Sequence, residues 1–168
     1  MSGILLSAVL CSCSVNSPEP TYPNMELNSE ECTAQCGDNS YKIRLTHLMQ
    51  GTTSITFTQP QNVNGVIYNF SGSGCEITLG DLSLKTSRSY ISNYSLPQVL
   101  CEILDNAQRE NALVCTADNK PQASTLTEAV FSGRSSHFAY QITTDFDSGL
   151  IKKIEVPKEK ISVTFSNK

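Results

Sequence analysis

The chain has 168 residues, a formal net charge of −4, 39% hydrophobic residues and only 17% charged ones. That length fits one ordinary domain plus a short tail. Ser, Thr and Asn number 22, 15 and 12, and Ile plus Val reach 20 against 8 Ala. This mixture favours strands and argues against a helical bundle, a coiled coil or a membrane channel. The acidic balance gives no general electrostatic case for nucleic-acid binding.

Charge is unevenly placed. Residues 1–41 carry Glu19, Glu26, Glu30, Glu31 and Asp38 and no base, and the first base is Lys42. An acidic leader of this kind reads as a solvated tether. Within it, Ile4 to Leu10 form an apolar run of seven residues. Crossing a bilayer takes about 20 helical residues, so the run matches instead the apolar core of a secretory signal.

Leu10-Cys11-Ser12-Cys13 follows and resembles the lipobox of bacterial lipoproteins, with Leu at −3, a small residue at −1 and Cys at +1. Matched residue by residue, Cys13 is the lipid acceptor and Leu10 the −3 residue. Cys11 is the weaker acceptor, because Leu10 would then stand at −1. Met1-Ser2-Gly3 departs from the pattern in having no Lys or Arg. The competing reading is a buried N-terminal element with two free cysteines. The resemblance implies acyl chains on Cys13 that hold the protein to the outer face of the cell membrane, outside the cytoplasm. Pro18, Pro20 and Pro23 among Ser and Asn then make a partly extended spacer. The expected division is a signal peptide over 1–12, Cys13 and a linker to residue 24, and one β-rich domain over 25–168.

Five cysteines remain in the body: Cys32, Cys36, Cys75, Cys101 and Cys115. Cys32-Thr-Ala-Gln-Cys36 alternates in a strand-like way. Four strand steps span about 13 Å, too far for Cys32 and Cys36 to bond each other. They read as core residues on one face, with a disulfide to another cysteine or a metal or redox role as alternatives.

Alternation with flanking turn signals then predicts strands over 41–49, 52–58, 65–70, 75–79 and 82–84. Residues 86–95 read as a polar loop holding Tyr90 and Tyr94. Leu96, Val99, Leu100, Ile103, Leu104 and Ala107 line one face of a helix of about three turns. Ser95 is its expected N-cap, and Pro97 is tolerated in its first turn. Strands resume over 111–117, 125–132, 137–146, 150–156 and 160–165, with a tight turn at Asp147-Ser148-Gly149. The fold class is therefore mainly β: a curved antiparallel sheet, or half-barrel, of about ten strands wrapped around one central amphipathic helix.

This layout, with Phe57-Thr-Gln-Pro60, Gly65-Val-Ile-Tyr68, Leu100 to Asp105, Thr144-Asp-Phe-Asp-Ser-Gly149 and Ile161-Ser-Val-Thr-Phe165, resembles clostridial-type lipoproteins. The fold it implies is that of the lipoprotein-sorting carrier family, the LolA/LolB-like group, over residues 25–168. In that group a half-barrel and a helical lid enclose an apolar cavity for acyl chains. This chain departs in having one helix and no Trp. The resemblance implies an open concave sheet that binds a lipid or other apolar ligand.

Catalytic and metal patterns are thin. His47 falls in the apolar register of its strand and reads as a core histidine. His137 follows Arg134-Ser135-Ser136, but no nucleophile elbow or oxyanion hole accompanies the Ser/His pair. Asp145-Phe-Asp147-Ser-Gly149 is similar to the start of a calcium loop but lacks its closing glutamate. No glycine-rich loop precedes the helix. Lys152-Lys153 and Lys158-Glu159-Lys160 form a small basic cluster that reads as a solvated face.

The expected function is a non-enzymatic, monomeric surface lipoprotein without cofactor or metal. Ile55, Phe57, Phe138, Tyr140 and Ile142 are the candidate lining of the concave face, with Tyr90 and Tyr94 as loop contacts. The alternative is an interaction module with a fully packed core, which binds a protein or glycan through its loops.

Overall fold

The computed structural model describes residues 19–49, 51–116 and 127–166. The signal segment, Cys11, Cys13 and the first half of the spacer lie outside them. Eleven strands form one antiparallel sheet. In chain order they are β1 (Leu27–Cys36), β2 (Asn39–Leu48), β3 (Thr52–Gln59), β4 (Ile67–Ser71), β5 (Gly74–Leu79) and β6 (Leu82–Ser87). After a short 3-10 turn at Arg88–Tyr90 and the helix α1 (Leu96–Ala107) come β7 (Leu113–Cys115), β8 (Glu128–Arg134), β9 (Ala139–Asp145), β10 (Ile151–Val156) and β11 (Ile161–Phe165).

The spatial order is β6-β5-β4-β3-β2-β1-β11-β10-β9-β8-β7. Within each meander, neighbours in sequence pair antiparallel, most of them across short turns. The join between meanders is β1 with β11, where Cys32 pairs with Phe165 and Cys36 with Ile161. That join is non-local, so no turn signal marks it. Its consequence is that β6 and β7 become the two edges. The chain leaves one edge at Ser87 and regains the sheet at the other at Leu113, with α1 between them.

Directly paired residues share a face, so the register defines an inner face. One row runs Leu45, Ile55, Tyr68, Ile77, Leu84 across β2 to β6. Another runs Phe131, Ile142, Ile154, Val163, Ala34 from β8 to β1. α1 lies against this face and buries Leu96, Val99, Leu100, Cys101, Ile103, Leu104 and Ala107. The periodicity read from sequence therefore marks the face that packs. Ser95 is the N-cap residue, but its hydroxyl donates to the Ser92 carbonyl at 2.8 Å and makes no cap bond to the helix.

The folded body begins before β1. The Thr21 N–H donates to the Phe146 carbonyl and the Asn24 N–H to the Gly149 carbonyl, both at 2.9 Å. Residues 21–24, read from sequence as spacer, are thus seated on the β9–β10 turn. Tyr22 adds an edge-on contact with Phe131 at 5.7 Å, and Met25 is buried. Asp145 stabilises that turn locally, its carboxylate accepting from the Ser148 N–H and hydroxyl. These bonds hold its carboxyl below the usual carboxylate range. No cluster of three or more metal-ligating side chains occurs among the described residues.

Candidate functional site: the two halves of the concave face

A 12-residue helix is about 18 Å long and about 10 Å wide. Eleven strands at about 4.8 Å spacing make a sheet about 48 Å across before curvature. One helix cannot cover that face, and the inner surface divides accordingly.

The covered half is packed. Ile55 and Ile142 are wholly buried, Tyr140 is 1% exposed, and Phe138 and Phe57 are 5% and 7% exposed. Ile55 and Phe57 come from β3, Tyr140 and Ile142 from β9, and Phe138 from the β8–β9 turn. All five join the one apolar core that includes α1.

Polar contacts fix the helix on both flanks. On one side the Tyr140 hydroxyl donates to Asn106 Oδ1 at 2.6 Å. On the other, Cys101 Sγ lies 3.6 Å from Thr53 Oγ1, and Arg88 Nη1 lies 2.8 Å from Asp105 Oδ2. Arg88 also stands over the Phe70 ring at 5.5 Å. His47 is wholly buried, with Nδ1 2.7 Å from Thr53 Oγ1 and Nε2 2.7 Å from the Gln108 amide nitrogen. A donating Gln108 amide makes Nε2 the acceptor, so Nδ1–H donates to Thr53. Burial holds this imidazole below its ordinary range.

The uncovered half lies on β4, β5 and β6. In the same inner register, Tyr68 and Ile77 are half-buried, while Leu79, Leu84 and Leu82 are 48%, 61% and 73% exposed. Val63 and Val66, from the loop between β3 and β4, border this lane and are partly buried. The loop is held by the Gly65 N–H donating to the Phe57 carbonyl at 2.8 Å and the Phe57 N–H to the Val66 carbonyl at 2.9 Å. Tyr41, Phe57, Tyr68 and Phe70 form a chain of ring contacts at 5.5, 6.1 and 6.3 Å that links the lane to the covered half. Apolar surface left open beside a filled core is the unusual feature of this molecule, since scattered single leucines carry no such meaning. The lane residues were not among the sequence candidates. The signal that marks them is an apolar inner row too long for one helix to cover.

Tyr90 and Tyr94 are 84% and 54% exposed in the segment between β6 and α1. They are not brought together with the five core candidates. A separate hollow of about 310 Å³ lies where β11 ends, with Leu27, Ile151 and Phe165 in its wall. Glu26, Glu30, Asn24 and Asn28 give it a polar lining, and Ser29 there adopts a left-handed backbone at the β1 bulge.

The Ser/His pair does acquire an acid. Glu102 of α1 lies 3.0 Å from His137 Nδ1, but Ser136 Oγ lies 3.1 Å from the same nitrogen. Asn93 Nδ2 occupies Nε2 at 3.0 Å. A relay needs the hydroxyl on one ring nitrogen and the carboxylate on the other. This cluster instead ties α1, the β8–β9 turn and the loop after β6 together.

All five described cysteines are free thiols. Burial is the main cause that pushes Cys32 and Cys101 up to about 12, which suits packing and not redox chemistry. The basic residues separate: Lys152 pairs with Glu128 and Asp145 near the β9–β10 turn, whereas Lys158 and Lys160 lie at the opposite end of β10.

No protein-family profile matches the chain, and no curated protein matches it. Solved structures similar in fold include a LolA superfamily protein from Nitrosomonas europaea, 10% identical over 85% of this chain and 87% of that one, with a TM-score of 0.40. Another is a putative outer membrane lipoprotein-sorting protein domain from Vibrio parahaemolyticus, 11% identical over 85% and 73%, with a TM-score of 0.44. A third is the CwlD amidase from Clostridioides difficile in complex with the GerS lipoprotein, 11% identical over 82% and 81%, with a TM-score of 0.46. The likeness is one of sheet and helix arrangement alone.

Proposed function

We propose that this protein is a non-enzymatic lipoprotein, held to the outer face of the cell membrane by acyl chains on Cys13, that binds an apolar ligand on the uncovered half of its concave face. The observation that carries this reading is the run of Leu79, Leu82 and Leu84, 48–73% exposed on the same inner face as Tyr68 and Ile77. The covered half offers no such room, since Ile55, Ile142 and α1 leave no water-sized space against one another. The ligand therefore lies against β4 to β6 instead of beneath the helix.

The orientation agrees with an anchored carrier. The N-terminal segment meets the body at the β9–β10 turn, which is the end where β1 begins. Leu79 and Leu82 lie at the opposite ends of their strands from the Phe70–Cys75 row beneath α1. The lane thus opens away from the tethered end.

Native mass spectrometry of residues 14–168, purified without detergent, tests this reading. A co-purified lipid, or mass added on incubation with palmitate and lost in Leu82→Asn/Leu84→Asn, supports it. A bare protein mass under both conditions overturns it. A second reading, a loop-directed interaction module, is favoured by the exposure of Tyr90 and Tyr94. It predicts capture of a partner that Tyr90→Ala/Tyr94→Ala abolishes.

A further inference from the structure

We infer that the β6 edge pairs with β6 of a second copy of this chain, giving a two-fold dimer centred on Ser83. β6 is an end strand of the sheet, and among the described residues nothing continues the ladder beyond it. Its backbone is in the right phase for addition. The Arg88 N–H donates to Ser73 at 2.9 Å, so the even-numbered positions face β5. By alternation Ser83 and Lys85 turn their N–H and C=O groups to the free side. The strand contains neither Pro nor a bulge, two of the devices that protect an edge, and its one charged residue, Lys85, is the group that the pairing would engage.

The sequence of this edge is self-complementary. Asp81-Leu82-Ser83-Leu84-Lys85 reads the same way in chemistry from both ends, apolar about a central serine with opposite charges outside. Laid antiparallel on itself about Ser83, Leu82 faces Leu84 of the second copy, and Asp81, the turn residue just before β6, comes level with Lys85, each twice. Centred on Leu84 instead, Lys85 would face Ser83 and both ion pairs would be lost, so charge selects the first register. An isologous contact of this kind closes as a dimer and does not propagate.

The side chains are free to do this. Leu82 and Leu84 are 73% and 61% exposed on the inner face. Lys85 is 82% exposed, and its intrachain link to Glu76 is long, at 3.9 Å. Pairing would gather four leucines into one cluster. The two apolar lanes would then run on from copy to copy without their inner faces being covered. The inference goes beyond the ligand reading and departs from the expectation of a monomer.

Sedimentation velocity over a concentration series tests it, on the chain from residue 14 on, which holds every described element. The expected result is a concentration-dependent dimer. Asp81→Lys and Lys85→Asp each replace two attractions by two repulsions and should raise the dissociation constant about tenfold or more. An equimolar mixture of the two variants restores both pairs and should recover the dimer. Ser83→Pro removes an N–H that β5 does not use, so it should abolish the dimer with the far-ultraviolet spectrum unchanged. A monomer at every concentration overturns the inference. So does a dimer indifferent to these variants, or a mixture that stays monomeric. Palmitate binding is measured on the same samples: its loss with the dimer intact would overturn the ligand reading alone, and the converse would overturn the dimer alone.

Discussion

Gly133→Ala measures how solidly the covered half is packed. Gly133 is paired with Tyr140 across β8 and β9. A Cβ added there would collide with Cζ, Oη and Cε2 of the Tyr140 ring. The ring is 1% exposed, and its hydroxyl holds Asn106 of α1 at 2.6 Å. To admit a methyl, the ring must move into neighbours that have no space, at a cost of about 1–3 kcal/mol for overpacking. Displacing the hydroxyl from Asn106 adds about 1 kcal/mol. The expected loss is therefore about 2–4 kcal/mol, read as a lower midpoint of guanidinium unfolding at unchanged slope. Tyr140→Phe alone should lose only the hydrogen-bond part. A Gly133→Ala protein within about 0.5 kcal/mol of wild type would refute the reasoning. It would mean the ring has an empty space to enter, and that a cavity exists under α1.

Four further outcomes follow from the same structure. Leu100→Ala, at a wholly buried site on α1, should cost about 2–5 kcal/mol in the same unfolding assay. His47 titrates below its ordinary 6.5 because of burial, so below that pH the unfolded chain binds more protons than the folded one. Stability should fall as pH drops from 6.5, by at most about 1.4 kcal/mol per pH unit, and His47→Gln should flatten that limb of the stability profile. Cys32 and Cys101, held up at about 12, should resist alkylation at neutral pH until the chain is unfolded, as peptide mapping would show. Cys13→Ala should move the protein from the membrane fraction to the soluble one, whereas Cys11→Ala should not.

Much of the architecture is legible because it is local. Alternation marks the strands, and Leu96, Val99, Leu100, Ile103, Leu104 and Ala107, all buried, follow the helical period without a break. Glycines mark turns where a left-handed backbone is needed, as at Gly72 and Gly80. What is not legible is the pairing of β1 with β11, since it joins segments more than a hundred residues apart with no turn between them. That join decides which strands become edges. It therefore also decides that Leu82 and Leu84 stay open while Ile55 and Ile142, just as apolar in sequence, are buried. In sequence, Ile55, Phe57, Phe138, Tyr140 and Ile142 look like a lining because they are aromatic or branched residues in an alternating pattern. In the fold those residues meet α1, and the open apolar surface lies on β5 and β6. Ser136, His137 and Glu102 show the same limit: the pair is visible in the chain, but its shared ring nitrogen is visible only in three dimensions.

The most direct test of the central claim is a methyl-resolved NMR titration with palmitate, using Ile and Leu labels at a fixed protein concentration. The account predicts shifts at Ile77, Leu79, Leu82 and Leu84, with Ile55, Ile142, Leu100 and Ile103 unmoved. Shifts at Ile55 and Ile142 would place the ligand beneath the helix and contradict the account. Unmoved methyls throughout would contradict apolar-ligand binding altogether.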